Sequence, residues 1–177
     1  GDPCRVRFNA RYRDTDRWCM FDHPPPATHH EEVAMQPSVR RVVFVVAGII
    51  VGSAVNMGLV QLGTTLIPPP AGVNVDTPEG LRAAMSVFET KHFITPFMSH
   101  ALGTFAGAYV ASRWSGTSAF WPALIIALLF LIAGISMVAM IGNTPLWFVV
   151  LDLSVAYVPM GIVAHRLARR SMVPGVL

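Results

Sequence analysis

The sequence predicts an all-α membrane protein: a bundle of four transmembrane helices with both termini in the cytoplasm, and a short amphipathic helix on the outer surface. Three observations lead to this prediction. Hydrophobic residues make up 53% of the 177 residues and charged residues only 13%, about half the charged share of a soluble domain. The apolar residues are gathered into four long runs, and the basic residues are concentrated on one side of those runs.

Each apolar run is long enough to cross a bilayer as a helix, since a hydrocarbon core of ~30 Å needs roughly 20 helical residues. Inside the runs, only His100 and Asp152 can readily carry a charge. The first run begins too far along the chain, and is too long, to be the core of a cleavable signal. We therefore predict a transmembrane domain over residues 40–170 and a C-terminal tail over residues 171–177. The four predicted spans cover about residues 42–63, 93–112, 118–142 and 146–164.

The placement of basic residues predicts the orientation of the spans. The first connection between spans holds Arg82 and Lys91, which nearby acidic residues dilute. Because basic residues favour the cytoplasmic side of a membrane, the more basic side of the bundle is expected to be cytoplasmic. That side contains both termini and the connection over residues 113–117. Its six arginines are Arg40, Arg41, Arg113, Arg166, Arg169 and Arg170.

Residues 1–39 are predicted to form a polar cytoplasmic tail. They show neither helical nor strand periodicity, so the tail alone should be largely disordered. Its cysteines and histidines lack the spacing of a zinc site, and no metal is expected there. Arginines interleaved with aromatic residues suit an acidic partner or anionic lipid headgroups, and no nucleic acid is expected. Residues 1–34 are either a docking arm or a lineage-specific extension. The predicted contact residues are Arg5, Arg7, Arg11, Arg13, Arg17 and Trp18.

Two local signals refine the spans. Thr77 is a candidate N-cap, and the apolar residues Leu81, Met85 and Phe88 follow it at helical spacing, which predicts a short amphipathic helix. This helix either lies along the outer membrane surface or packs on the bundle. Pro159 lies inside the fourth span and predicts a kink there, because proline lacks the N–H that a helix interior needs.

Small residues mark the predicted helix contacts. They recur at four-residue spacing in the first two spans, where they let helix backbones approach closely. We predict that the first two spans touch through these faces, or that one face binds a partner subunit; general enrichment of glycine in membrane helices is the simpler alternative. The residues are Gly48 and Gly52 in the first span and Ser99, Gly103, Gly107 and Ala111 in the second.

One polar residue in each span lies at about the same depth. Each lies about six or seven residues from the outer end of its span, or ~10 Å at 1.5 Å per residue. These residues are Asn56, His100, Ser136 and Asp152. An unpaired carboxylate at that depth is costly. Asp152 is therefore expected to face the interior and to pair with His100, while Asn56 and Ser136 satisfy the remaining donors and acceptors.

Three roles for this polar layer are open. It is a hydrogen-bonded cluster that fixes helix register, a proton or ion relay, or a site where His100 is the single axial ligand of a haem or chlorin. A bis-histidine haem is disfavoured, because His92 and His165 lie at other depths. No nucleophile–base pair and no phosphate-binding glycine loop is recognisable, so no enzymatic activity and no catalytic residue is predicted.

Four short motifs carry a family resemblance: residues 52–57, 67–70, 91–93 and 99–104. Over residues 42–170 the chain resembles small, uncharacterised four-helix inner-membrane proteins of bacteria. The resemblance implies a multi-pass protein of the bacterial inner (cytoplasmic) membrane. It brings no activity to transfer.

The expected function is that of an accessory subunit in a multisubunit energy-transducing membrane complex, photosynthetic or respiratory. Such a subunit packs on partner helices and docks its N-terminal tail on them. One alternative is a small proton, ion or solute transporter that uses the layer of Asp152 and His100. Another is a membrane redox protein in which His100 contacts a pigment or haem; no cofactor is otherwise expected.

Overall fold

A computed structural model of the chain describes residues 35–116 and 120–171. Every regular element in these residues is helical, which confirms the predicted all-α class. The predictions made for the N-terminal arginines and Trp18, and most of the predicted C-terminal tail, lie outside the described residues. The elements are α1 (Pro37–Leu66), α2 (Pro78–Ala84), a 3₁₀ turn (Thr90–Phe93), α3 (Ile94–Trp114), α4 (Trp121–Ile141), α5 (Leu146–Val155) and α6 (Val158–Arg170).

Three helical stretches of the described chain are long and apolar enough to cross a membrane. They are α1, α4, and α5 together with α6. The fourth predicted span corresponds to these last two helices, and the second corresponds to α3, which is not among the three. The structure is therefore consistent with a protein that crosses a membrane.

Helix α3 lies at the centre of the bundle and packs against α1, α4 and α6. Its central position explains why it is less apolar than the other long helices: the side chains it buries are small or polar. Such residues bring neighbouring helices close, and they need no contact with lipid. The buried residues of α3 are Ser99, Ala101, Gly103, Thr104, Gly107, Ala108, Ala111 and Ser112.

Contacts at the helix ends show that α1 and α3 run in opposite directions. Near the start of α1, the Arg40 Nε donates a hydrogen bond of 2.9 Å to the carbonyl oxygen of Trp114, at the end of α3. This guanidinium complements the negative end of the α3 dipole. At the other end of α3, the Phe93 ring packs on Phe148 of α5 with ring centroids 4.9 Å apart. We call these the arginine end and the aromatic end of the bundle.

The surface of the bundle is strongly apolar. Only 11% of the most apolar stretch of α1 is buried against the rest of the protein. On α4, Ile132 is 59% exposed and Ile135 is 48% exposed. Soluble proteins do not expose apolar patches of this extent, whereas a lipid-facing surface requires them.

Helix α2 begins as the sequence predicts. The Thr77 hydroxyl accepts a hydrogen bond of 3.1 Å from the backbone N–H of Gly80. The Arg82 guanidinium then donates from Nε to the Ile141 carbonyl oxygen (2.7 Å) and from Nη2 to that of Met140 (2.8 Å). These bonds satisfy carbonyls at the C-terminus of α4 that have no partner within the helix. Of the two predicted arrangements, the helix packed on the bundle is therefore the one these contacts favour.

The fourth predicted span is broken where its proline predicts a kink. Helix α5 ends at Val155, and α6 begins at Val158 after a turn over Ala156 and Tyr157. Pro159 lies in the first turn of α6. Since proline cannot donate to the carbonyl four residues earlier, the helix ends before it and restarts at a position where its missing N–H is tolerated.

Candidate functional site: a buried histidine, carboxylate and phenol

The predicted small-residue faces bring the backbones of α1 and α3 together. A Cβ atom added to Gly48 would lie 2.6 Å from the Gly107 carbonyl oxygen, and one added to Gly107 would lie 2.6 Å from that of Gly48. Gly52 and Gly103 show the same reciprocal contact, at 2.8 Å and 2.9 Å. Ala111 extends the face, 3.2 Å from the position of a Gly48 Cβ. These contacts hold α3, and thereby His100, at a fixed position against α1.

Ser99, the remaining member of the predicted face, is fully buried. Its hydroxyl donates a hydrogen bond of 2.8 Å to the Pro96 carbonyl oxygen within its own helix. The serine therefore contributes a small surface rather than a bond to another helix.

The site centres on His100 of α3 and Asp152 of α5. The imidazole Nδ1 lies 3.0 Å from Oδ1 and 2.9 Å from Oδ2 of the carboxylate. Asp152 is 1% exposed, so a partner of this kind is what its burial requires. With Asp152 ionised, its carboxylate only accepts hydrogen bonds, and Nδ1 is therefore assigned the proton that it donates. The second ring nitrogen, Nε2, is then left for another partner, and the side chain of His100 is 24% exposed.

Tyr157 is a third member of the site that the sequence analysis missed. Its hydroxyl donates a hydrogen bond of 3.1 Å to Oδ2 of Asp152. Its ring stacks on the His100 imidazole, with centroids 5.8 Å apart and planes inclined by 28°. Tyr157 follows Asp152 by five residues, a spacing that does not share a face on a regular helix. The break before Pro159 turns it inward, and that proline was the available signal.

Glycine at position 134 of α4 makes room for the phenol. A Cβ atom there would collide with the Tyr157 hydroxyl, and the Tyr157 ring is the nearest group. Gly134 is buried. The site is therefore assembled from α3, α5, the turn between α5 and α6, and a gap in the surface of α4.

Ser136 does not belong to the site, and the prediction that placed it there is wrong. It is exposed, and its hydroxyl donates to the Ile132 carbonyl oxygen of its own helix at 2.8 Å. The physical reason is rotational: residues two apart on a helix point about 200° apart. Since α4 directs Gly134 towards Tyr157, it directs Ser136 away. Depth along a span does not determine the direction of a side chain.

Asn56 lies close to the site without bonding to the carboxylate. Its Cβ lies 2.8 Å from the position that a Cβ of Gly103 would occupy, which places it in the contact between α1 and α3. Its Oδ1 is buried and has no hydrogen-bond partner in the described part of the chain. The predicted role of Asn56, satisfying the pair directly, is therefore not observed.

The two other described histidines of the bundle have local roles. The backbone N–H of Glu89 donates to His92 Nδ1 at 3.0 Å in the 3₁₀ turn, and the His92 ring stacks on Phe88. His165 lies near the arginine end, with Nδ1 3.3 Å from the Ser112 hydroxyl oxygen. Within the described residues, neither ring shares a hydrogen bond with His100.

The geometry permits two kinds of chemistry. A carboxylate, an imidazole and a phenol in one hydrogen-bonded cluster can hold and pass protons. An imidazole oriented by a carboxylate at Nδ1 is also the usual arrangement of a histidine that binds a metal through Nε2. Across residues 35–116 and 120–171, no group of three or more His, Cys, Asp or Glu side chains is arranged to hold a metal ion. A metal at His100 would therefore need most of its ligands from elsewhere, as the metal of a macrocycle does.

The chain was compared with protein-family models, with curated proteins and with solved structures. None of the three comparisons found a match.

Proposed function

We propose that this chain is an accessory subunit of a multisubunit membrane complex and packs against partner helices. The supporting observation is the outward side of α1. Ser53, Ala54 and Gly58 are all exposed there, and a Cβ added to Gly58 would meet no atom within 4 Å. Lipid places no demand for small or polar residues on a helix, whereas close approach of a second helix does. The glycines of α1 that face inward are already occupied by α3.

An energy-transducing complex, photosynthetic or respiratory, is the class of complex we propose. Ionisable side chains within a membrane commonly mark proton paths. The cluster of His100, Asp152 and Tyr157 is of this kind, and complexes that move electrons or protons across a membrane use such groups.

We further propose that α3 is a fourth crossing and that both termini are cytoplasmic. With 21 residues, α3 is about 31 Å long at 1.5 Å per residue, enough for a hydrocarbon core. Its neighbours cover it, so it does not need the apolar surface of α1 or α4. The arginines at the arginine end support a cytoplasmic location for that end. The aromatic end and α2 would then face the outside, and the N-terminal arginines would dock on a partner or on lipid.

Copurification from native membranes in mild detergent tests the proposal. The chain should coelute with larger subunits, and replacement of Gly58 by Ile should release it, because the new side chain blocks close approach. Ala133→Ile is the matched control, since Ala133 is an exposed small residue of α4, and this variant should still coelute. A monodisperse chain that elutes alone from native membranes would contradict the proposal.

A small proton-coupled transporter is a second candidate, favoured by the complete burial of Asp152 between an imidazole and a phenol. In this case Asp152→Asn, which keeps the shape of the side chain and removes its charge, should abolish proton-coupled activity. The experiment uses the chain reconstituted alone in vesicles with a pH-sensitive dye inside. Proton movement equal to that of empty vesicles would exclude this candidate.

An absorption spectrum of the copurified material tests a third role for His100. A pigment or haem bound through Nε2 should give a visible band that is lost in His100→Leu. A band that persists in that variant would belong to a partner.

A further inference from the structure

Two buried polar atoms on α1 and α3 have no hydrogen-bond partner in the described residues. They are Oδ1 of Asn56 on α1 and Oγ1 of Thr104 on α3. Thr104 is 0% exposed, so lipid and bulk water do not reach it. Buried polar groups are almost always paired, and ordered water is the usual partner when the protein supplies none.

The helix geometry places Thr104 on the same face of α3 as His100 and packs Asn56 against the same stretch of α3. His100 and Thr104 are four residues apart on α3 and therefore share a face, one turn from each other. Asn56 packs over Gly103, which lies between them in the sequence. The same region of α1 also meets α4, because a Cβ on Gly52 would lie 2.8 Å from the Phe130 ring. Asn56, one turn beyond Gly52, thus lies where α1, α3 and α4 come together.

The donors and acceptors of these groups are complementary to one water molecule. With the His100 Nδ1 proton donated to Asp152, Nε2 of a neutral imidazole accepts one hydrogen bond. The Asn56 Oδ1 accepts a second. The Thr104 hydroxyl donates to the oxygen of the same molecule. A water with two hydrogens and an accepting oxygen satisfies all three groups, which is the usual number of bonds for a buried water.

We propose that a water molecule is bound by His100 Nε2, Asn56 Oδ1 and Thr104 Oγ1. This water connects α1 to the His100–Asp152–Tyr157 cluster, whose hydrogen bonds in the described residues join α3 to α5 and to the turn after it. The same water also gives Nε2 of His100 a hydrogen-bond partner. The inference is independent of the proposed subunit role, since it concerns what the isolated chain holds inside its bundle.

A double-mutant cycle in detergent tests the shared water. Thr104→Val keeps the shape of the side chain and removes the hydroxyl, and Asn56→Leu likewise removes the amide. If each atom were simply unpaired, each substitution would raise the melting temperature, because a buried polar group is lost. If both hold one water, each substitution should lower it. The double variant should then lose less than the two single losses added together, since the water is already lost in either single variant.

Thr144→Val is the matched control for the cycle. The Thr144 hydroxyl is also buried with no hydrogen-bond partner among the residues that the structure describes, but it belongs to the connection before α5. Combined with Asn56→Leu, it should give additive shifts. Additive shifts for Thr104→Val and Asn56→Leu, or single variants that both raise the melting temperature, would overturn the proposal.

A measurement on the unmodified chain removes any dependence on how the variants fold. With ¹⁵N-labelled histidine, the His100 Nε2 resonance should show magnetisation transfer from a long-lived bound water. Thr104→Ser, which retains the hydroxyl, should keep this transfer. Its absence in the unmodified chain would contradict the proposal.

Discussion

The two sides of α3 are packed by opposite means. Towards α1, glycines remove side chains so that the backbones come close, and a Cβ atom on Gly48 or Gly107 would lie 2.6 Å from the carbonyl oxygen of the other. Towards α5 and α6, α3 instead presents a polar ring, and His100 reaches a carboxylate on another helix. The first contact is set by spacing within single helices. The second depends on a break in the chain that turns Tyr157 inward, and on the space that Gly134 leaves for it.

This difference predicts different sensitivities. The contact between Gly48 and Gly107 cannot yield, because the nearest atom that a new side chain at either position would meet is a backbone carbonyl oxygen. The polar contact tolerates change better, since one of its hydrogen-bonding side chains can be removed while the others keep their partners. Substitutions on the two sides should therefore differ in how much they lower the free energy of unfolding. They should also differ in whether a second substitution offsets part of that loss.

The largest effect is expected for Gly107→Leu. A side chain here meets the Gly48 carbonyl oxygen at 2.6 Å and the Ile126 side chain at 3.1 Å, so α1 must move away from α3. We expect a loss of about 3 kcal/mol in the free energy of unfolding, at the upper end of typical overpacking. Unfolding of the purified chain in mixed micelles measures it. Gly58→Leu, on the open side of α1, is the control and should leave stability unchanged; equal losses in both would refute the close contact.

A smaller and reversible effect is expected for Gly134→Ala. The added methyl group collides with the Tyr157 hydroxyl and should cost about 2 kcal/mol, as overpacking typically does. Unlike the glycine contact with α1, this collision is with the far end of a side chain. Adding Tyr157→Phe removes the colliding oxygen but leaves the ring carbon Cζ, 2.8 Å from the added methyl group. The double variant should therefore lose less stability than the two single losses added together. Purely additive losses would show that the methyl group clashes elsewhere.

Tyr157→Phe by itself should have an intermediate effect. It removes the hydrogen bond to Asp152 and leaves the stacked ring in place. A hydrogen bond to a charged group contributes about 1.5–3 kcal/mol, and the retained bond from His100 limits the loss towards the lower figure. Thermal unfolding in detergent measures the change. Tyr109→Phe is a suitable control, because its hydroxyl is exposed and a single contact of 3.5 Å, with the Ser171 hydroxyl, is lost.

The same comparison explains what the sequence can predict. Four-residue spacing is visible in a single helix, so the glycine faces of α1 and α3 could be identified from the sequence. The pairing of Asp152 with His100 could also be predicted, because a carboxylate at that depth has few possible partners. Tyr157 could not, since its direction depends on how the chain restarts after the break before Pro159. The position of α3 at the centre could not either, because a hydrophobic run does not reveal which neighbours cover it.

The smallest effect is expected for Ser136→Ala, and it tests the rotation of α4 that excludes this residue from the site. The Ser136 hydroxyl donates only to the carbonyl of Ile132, one turn earlier in its own helix, and the side chain is exposed. Such a change is expected to stay within about 0.5 kcal/mol. A larger loss in the free energy of unfolding, comparable to that of Tyr157→Phe, would mean that α4 is rotated and that Ser136 does bond to the cluster. Since Gly134 and Ser136 point in nearly opposite directions, that result would also predict no clash in Gly134→Ala. The two substitutions on α4 thus determine together which face of this helix meets the polar side of α3.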